Sequence, residues 1–135
     1  MQRRLLPKDE RESQTEILKL EVCLICLKSG FLERRIQGIR DLNQIVRNNR
    51  MMSNKSFTTK FLIEWLYNNG VFIILFDPKK THLQIVQRCT DVLKLLLAED
   101  MLNQDILEMF WTLAKSEYKI EIYKIINDVA FFFKQ

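Results

Sequence analysis

The chain has 135 residues, enough for one domain that buries a core without disulfides or metals. Hydrophobic residues make up 47% and charged ones 28%, with 3 Gly and 2 Pro, the balance of a soluble globular chain and too few turn formers for a β-sandwich. The formal charge of +4 is uneven, with 13 Lys/Arg against 8 Asp/Glu in residues 1–68 and 8 against 9 in residues 69–135; that can attract nucleic acid or an acidic protein surface, but the interspersed acids read as solvated helix faces.

The N-terminal stretch "MQRRLLPKDERESQ" is basic and has no apolar run, so it does not read as a signal peptide. Residues 1–12 are expected to be a flexible segment and residues 13–135 a single helical domain. Ser13-Gln-Thr-Glu16 is a capping box, the serine oxygen accepting from the first turn while the glutamate reaches back. It predicts a first helix over residues 14–29. Ile17, Leu20, Leu24 and Leu27 form its inward face, widened by Val22, Cys23 and Ile25, and Gly30 is placed as a left-handed terminator.

A second helix, "FLERRIQGIRDLNQIVRNN", repeats Leu32, Ile36, Ile39, Leu42, Ile45 and Val46 at helical steps, with Arg34, Arg35, Arg40, Asp41 and Arg47 mostly facing elsewhere. Gly38 costs about 1 kcal/mol relative to alanine in mid-helix, which a close approach by a neighbouring helix would explain. "NNRMMSNKS" reads as a polar loop. Thr58 or Thr59 then caps a third helix with Phe61, Leu62, Trp65 and Leu66 inward, ended by Asn69-Gly70.

"VFIILF" has the composition of a strand, but no partner strand is visible, and an unpaired strand leaves backbone groups unsatisfied. It is read as a short buried helix stopped by Asp77-Pro78. Thr81-His-Leu-Gln84 is a second capping box, predicting one long helix through "LQIVQRCTDVLKLLLAE". Asn103 starts the next, "QDILEMFWTLAK", and Ser116 caps the last, "EYKIEIYKIINDVAFFFK". The expectation is an all-α chain of seven helical segments.

Asp41-Leu42, Asp91-Val92 and Asp128-Val129 superpose, at offsets of 50 (91 − 41) and 37 (128 − 91). Five residues before each aspartate stand Ile36, Val86 and Tyr123; two before stand Ile39, Cys89 and Ile126. Helical units at a period near 40 predict an armadillo- or HEAT-like solenoid, with a plain helical bundle as the alternative. The last helix is apolar around most of its circumference. Two exposed phenylalanines among Phe131, Phe132 and Phe133 would leave roughly 300–400 Å² of aromatic surface in water. The expectation is that the chain is part of a longer solenoid, or self-associates through that edge.

Chemistry is sparse. Cys23 and Cys26 form a Cys-x-x-Cys pair deep inside a helix, whereas a redox pair sits at a helix N-terminus and a structural zinc needs four ligands. They are read as core. Three cysteines, an odd number, point to a reducing compartment, cytoplasmic or also nuclear. His82, the lone histidine, is expected in an exposed first turn, with no nucleophile set around it. Trp65, Phe110, Trp111 and Tyr118 could stack bases but fit core spacing equally well. No catalytic residue, cofactor or metal site, nor a membrane partner, is expected. For a partner surface the first place is Arg35, Arg40, Arg47 and Arg50 on the second helix.

"CLKSGFLERRIQGIRDLNQIV" (26–46), "THLQIVQRCTDVLKLLLAEDML" (81–102) and "ILEMFWTLAKSEYKIEIYKIINDVA" (106–130) resemble the non-catalytic helical region of very large ubiquitin-specific proteases, the fat-facets-like branch of that cysteine protease family. The resemblance runs over about residues 20–132. It implies an armadillo-like scaffold that positions a deubiquitinating catalytic domain or recruits ubiquitinated substrates. The family's cysteine and histidine boxes are absent from these residues, so none of its catalytic residues carries over. The alternatives are a free-standing armadillo/HEAT adaptor and a helical nucleic-acid binder that sets Arg34, Arg35, Arg40, Arg47 and Arg50 on phosphates.

Overall fold

The computed structural model describes residues 8–51 and 58–133, with side chains for residues 14–50 and 58–131. Eight helices are described: α1 (Lys8–Leu27), α2 (Leu32–Met51), α3 (Thr59–Asn68), α4 (Val71–Phe76), α5 (Leu83–Val86), α6 (Thr90–Ala98), α7 (Gln104–Ala114) and α8 (Lys119–Phe133). No strand occurs among the described residues, so "VFIILF" is the short helix α4, with Val71, Phe72, Leu75 and Phe76 buried.

α1 begins at Lys8, ahead of the expected residue 14. The run Lys8 to Glu12 contains no helix breaker. Glu16 therefore lies inside the helix and pairs with Lys19 at 3.0 Å instead of closing a capping box. The side chain of Ser13 lies outside the described residues; of the expected loop "NNRMMSNKS", residues 48–51 instead continue α2 to Met51, and residues 52–56 lie outside the described residues. Val22 and Ile25, expected inward, are exposed, because the helix needs only one stripe against α2. Gly30 is not left-handed; among the described glycines that conformation belongs to Gly70, at φ +67°.

Gly38 does what its position in mid-helix suggested. A Cβ built there would stand 3.0 Å from the Cβ of Cys26, 3.0 Å from the amide nitrogen of Leu27 and 3.1 Å from the carbonyl oxygen of Cys23. α1 thus lies directly on the backbone of α2, with the Cys-x-x-Cys turn straddling the glycine. Cys23 is buried and Cys26 half-buried.

α3 is capped by Thr58, whose Oγ1 accepts from the amide of Phe61 at 3.1 Å. Leu62, Ile63 and Leu66 are its buried face. Phe61, expected inward, is exposed, and Ile63 takes the core position in its place.

The predicted long helix after residue 82 is two. His82, not Thr81, caps α5, its Nδ1 accepting from the amide of Gln84 at 3.1 Å. The chain then tightens into a turn, with Arg88 N–H donating to the Ile85 carbonyl at 3.0 Å and Cys89 N–H to that of Val86 at 3.2 Å. α6 restarts with Cys89 as its N-cap. The break frees the carbonyl of Arg88, and the buried amide of Asn43 on α2 donates to it at 2.8 Å. A polar residue on a neighbouring helix is what makes the interruption tolerable in a core.

α6 ends in a Schellman turn: Asp100 is left-handed at φ 52°, and the Met101 amide donates to Leu96 O at 2.9 Å. Asn103 caps α7, its Oδ1 accepting from Ile106 N at 2.9 Å. Ser116 builds the turn before α8, accepting from Tyr118 N at 3.1 Å; the helix itself starts at Lys119, two residues beyond the "EYKIE" start expected from sequence.

The helices stack in two layers. α1 packs on α4 and α4 on α7, while α2 packs on α5 and α6, which both pack on α8. The pairs α1–α2, α4–α5 and α7–α8 join the layers. The three superposed stretches fall in the second layer, the middle copy divided between α5 and α6. One continuous core runs between the layers, from Leu20 and Leu27 through Phe72 and Val92 to Ile122 and Val129. No described helix is long and apolar enough to cross a membrane.

Candidate protein-interaction surface

The arginines singled out on α2 are spread along it, and Arg35 and Arg47 are engaged with later elements of the chain. Arg35 donates from Nη2 to the Lys80 carbonyl at 2.6 Å, fixing the link that leads into α5. Arg47 donates from Nε to Asp91 Oδ2 at 3.1 Å, both side chains partly exposed, tying α2 to the first turn of α6. Arg40 lies exposed between them and Arg50 is half-buried. The structure thus does not gather the four into one cluster. Arg34 stands over the Phe31 ring, 5.9 Å from its centroid.

The thiols are core groups. Burial pushes the Cys23 thiol up to about 12, with the nearby Asp41 carboxylate and Cys26 acting in the same direction. Burial likewise raises the Cys89 thiol, which donates to the Ile85 carbonyl at 3.2 Å. Among the described residues no group of three or more His, Cys, Asp or Glu side chains is placed to hold a metal ion. His82 is half-buried, engaged as a cap.

Of the aromatic residues considered, Trp65, Phe110 and Tyr118 pack against the core. Trp111 is 65% exposed and carries Lys115 Nζ 5.2 Å from its ring centroid. Phe131 is exposed; the side chains of Phe132 and Phe133 lie outside the described residues.

Apolar surface collects at the two ends of the stack. At one end Leu18, Val22 and Ile25 of α1 face outward, beside a groove of about 450 Å³ whose walls mix Val22 and Ile45 with Lys19, Gln44 and Asn48. At the other end the exposed residues belong to the third repeat copy. Ile39 and Cys89 are 0% exposed, whereas the equivalent Ile126 on α8 is 43% exposed and Tyr123 is 50% exposed. A second groove of about 460 Å³ opens here between α6, α7 and α8, and all its lining residues are apolar. Sequence reading expected the last helix to be apolar around most of its circumference; which of its positions stay exposed required the structure.

These features agree with comparisons to known proteins. The family model described as the UBP24/USP9X/USP9Y ARM repeat matches residues 13–135. Ubiquitin carboxyl-terminal hydrolase 34 from Homo sapiens and from Mus musculus are each 26% identical over 107 residues, covering 73% of this chain. The chain spans about 3% of the length of these curated relatives. No solved structure matches it. The two-layer helical stack, its recurring inner helix and the matched span make the chain a member of the UBP24/USP9X/USP9Y ARM repeat family, an all-α armadillo-like fold akin to the armadillo region of large ubiquitin hydrolases.

Proposed function

We propose that the chain is a non-catalytic scaffold segment of a large deubiquitinating cysteine protease, which recruits ubiquitinated substrates or positions the catalytic domain. The observation that carries the reading is the two-layer helical stack, matched by the armadillo-repeat family model over residues 13–135: a solenoid offers extended surface to a partner. In support, its buried thiols are held protonated by desolvation, the opposite of what a nucleophilic cysteine requires. Exposed Arg40 on α2 is the arginine best placed for a partner, with Arg35 and Arg47 bracing the segment. The cytoplasm, or also the nucleus, suits a chain whose cysteines are all free.

The test begins with transcript sequencing beyond the codon for Gln135. If the frame reaches cysteine and histidine boxes, residues 13–135 are deleted from the whole enzyme. The reading expects unchanged hydrolysis of a minimal ubiquitin–fluorophore amide and slower removal of ubiquitin from protein substrates. Equal loss in both assays, or hydrolysis by the 135-residue chain alone, would overturn it. A frame without those boxes would make the chain an adaptor, the second reading.

A further inference from the structure

Three of the connections between helices fall on one edge of the stack. α1 passes into α2 through residues 28–31, α4 into α5 through residues 77–82, and α7 into α8 through residues 115–118. Arg35, in the first turn of α2, ties them together. Its Nη2 donates to the Lys80 carbonyl at 2.6 Å. Burial and the Glu117 carboxylate raise the Tyr118 hydroxyl, and the Arg35 charge acts against them across the same edge. The connections from α3 to α4 and from α6 to α7 meet at the opposite edge, where the Tyr67 hydroxyl donates to the Met101 carbonyl at 2.6 Å.

Positive charge gathers on the first edge. Residues 28–35, 77–82 and 115–121 hold seven Lys/Arg and four Asp/Glu, which is +3 of the chain's formal +4. Lys28, Arg34, Lys79, Lys80, Lys115 and Lys119 are exposed, against Glu33 and Glu117 among the carboxylates. Asp77 is half-buried and accepts from the amide of Lys79 at 3.0 Å. The ion pairs Lys19–Glu16 and Arg47–Asp91 involve none of the six cations. Aromatic rings stand among them. Lys115 Nζ lies 5.2 Å from the Trp111 centroid and Lys119 Nζ 5.8 Å from that of Tyr123, as Arg34 lies over Phe31, and all three rings are exposed.

Span and charge pattern identify what fits. Packed helices stand about 10 Å apart, so three successive connections cover roughly 20 Å, the length of about six extended residues. Duplex nucleic acid would set a phosphate charge about every 1.7 Å along that line, with Glu33 and Glu117 facing it. A protein segment instead places carboxylates only where the lysines are, and its apolar side chains meet the rings; aromatic residues and arginine are the common anchors of such contacts. We propose that this edge is a docking surface for an acidic segment of a partner protein that carries apolar side chains between its carboxylates. Lys79, Lys80 and Lys119 draw the carboxylates, and Trp111 and Phe31 receive the apolar side chains.

The inference names the kind of partner that the scaffold reading calls for, and rests on that reading for its purpose. Binding is measured on the 135-residue chain, so its failure leaves the outcome of the deletion experiment untouched. The probe is a fluorescent peptide of about ten residues alternating glutamate with leucine, followed by anisotropy. A matched peptide with lysine for glutamate and a single-stranded oligothymidylate are the comparisons. The glutamate peptide is expected to bind at least about tenfold more tightly than the lysine peptide at low salt, with the margin shrinking as salt screens the edge. Lys80→Glu should weaken it by about fivefold or more; the bond from Arg35 goes to the Lys80 carbonyl, so the substitution leaves it in place. Lys60→Glu, the same change of charge at an exposed position of α3 on the opposite edge, should alter binding by less than about twofold. Trp111→Ala should weaken it by about tenfold. Absent binding, or equal affinity for the two peptides, would overturn the inference. So would equal weakening by Lys60→Glu and Lys80→Glu, which would reduce the attraction to net charge. Tighter binding of oligothymidylate than of the glutamate peptide would make the edge a nucleic-acid surface and overturn it as well.

Discussion

Gly38→Ala is expected to destabilise this protein, although alanine strengthens an ordinary helix by about 1 kcal/mol relative to glycine. The added methyl would meet the Cβ of Cys26 and the amide nitrogen of Leu27 at 3.0 Å, well inside the ~3.5–4.0 Å at which carbon contacts are favourable. Neither atom is the far end of a flexible side chain, so α1 itself must shift outward. That shift loosens Leu20, Cys23 and Leu27, all buried along the same seam. Overpacking of this kind costs about 1–3 kcal/mol, which offsets and exceeds the gain in propensity. The net expectation is a loss of up to about 2 kcal/mol, or up to roughly 8 °C in Tm for a chain of this size. Urea denaturation followed by circular dichroism measures it, with two other glycines as internal standards. Gly30→Ala meets nothing within 4 Å and should be neutral or slightly stabilising. Gly70→Ala also has open space but must adopt φ +67°, costing about 1–2 kcal/mol through the backbone alone. A Gly38→Ala protein more stable than the parent would refute the close approach of α1 and α2.

Asn43→Leu removes the donor that satisfies the Arg88 carbonyl and should cost about 1–3 kcal/mol; a neutral result in urea denaturation would mean that water reaches the break between α5 and α6. Arg47→Ala should cost under about 1 kcal/mol, since its ion pair with Asp91 is partly exposed, and a double-mutant cycle with Asp91→Ala should show the coupling fading with salt. In native protein a thiol reagent should modify half-buried Cys26 first, with buried Cys23 and Cys89 reacting only on unfolding. The Cys23 thiol rises from its usual 9.0 to about 12 on folding, so its contribution is complete below pH 9. It is lost as pH climbs from there towards 12, because only the unfolded thiol ionises. Stability curves of the parent and Cys23→Ala should diverge less at pH 10.5 than at pH 7.5.

Much of the architecture was legible in the residues. The periodicity of Ile39, Leu42, Ile45 and Val46 places α2 correctly because an amphipathic helix has one way to bury such a stripe. Thr58, Asn103 and Asp77-Pro78 mark boundaries through short-range hydrogen bonding and the missing proline amide, which neighbours in sequence decide by themselves. Gly38 predicted a close approach since a mid-helix glycine has few other uses. The identity of the neighbour, the Cys23–Cys26 turn of α1, required the fold.

The sequence by itself determined an all-α chain, a recurring inner helix and a Cys-x-x-Cys pair placed in the core. Tertiary structure decided the rest, for reasons beyond the reach of local pattern. The break in the helix after His82 is tolerated because Asn43, forty-five residues before Arg88, satisfies the carbonyl that the break exposes. Arg35 and Arg47 became struts because the packing of the following unit on α2 brought Lys80 and Asp91 to them. Val22, Ile25 and Ile126 carry core-like side chains on uncovered faces, since burial depends on which helix lies opposite and not on hydrophobicity alone. The groove at α6–α8 is likewise a property of stacking, since its apolar walls are brought together from three helices.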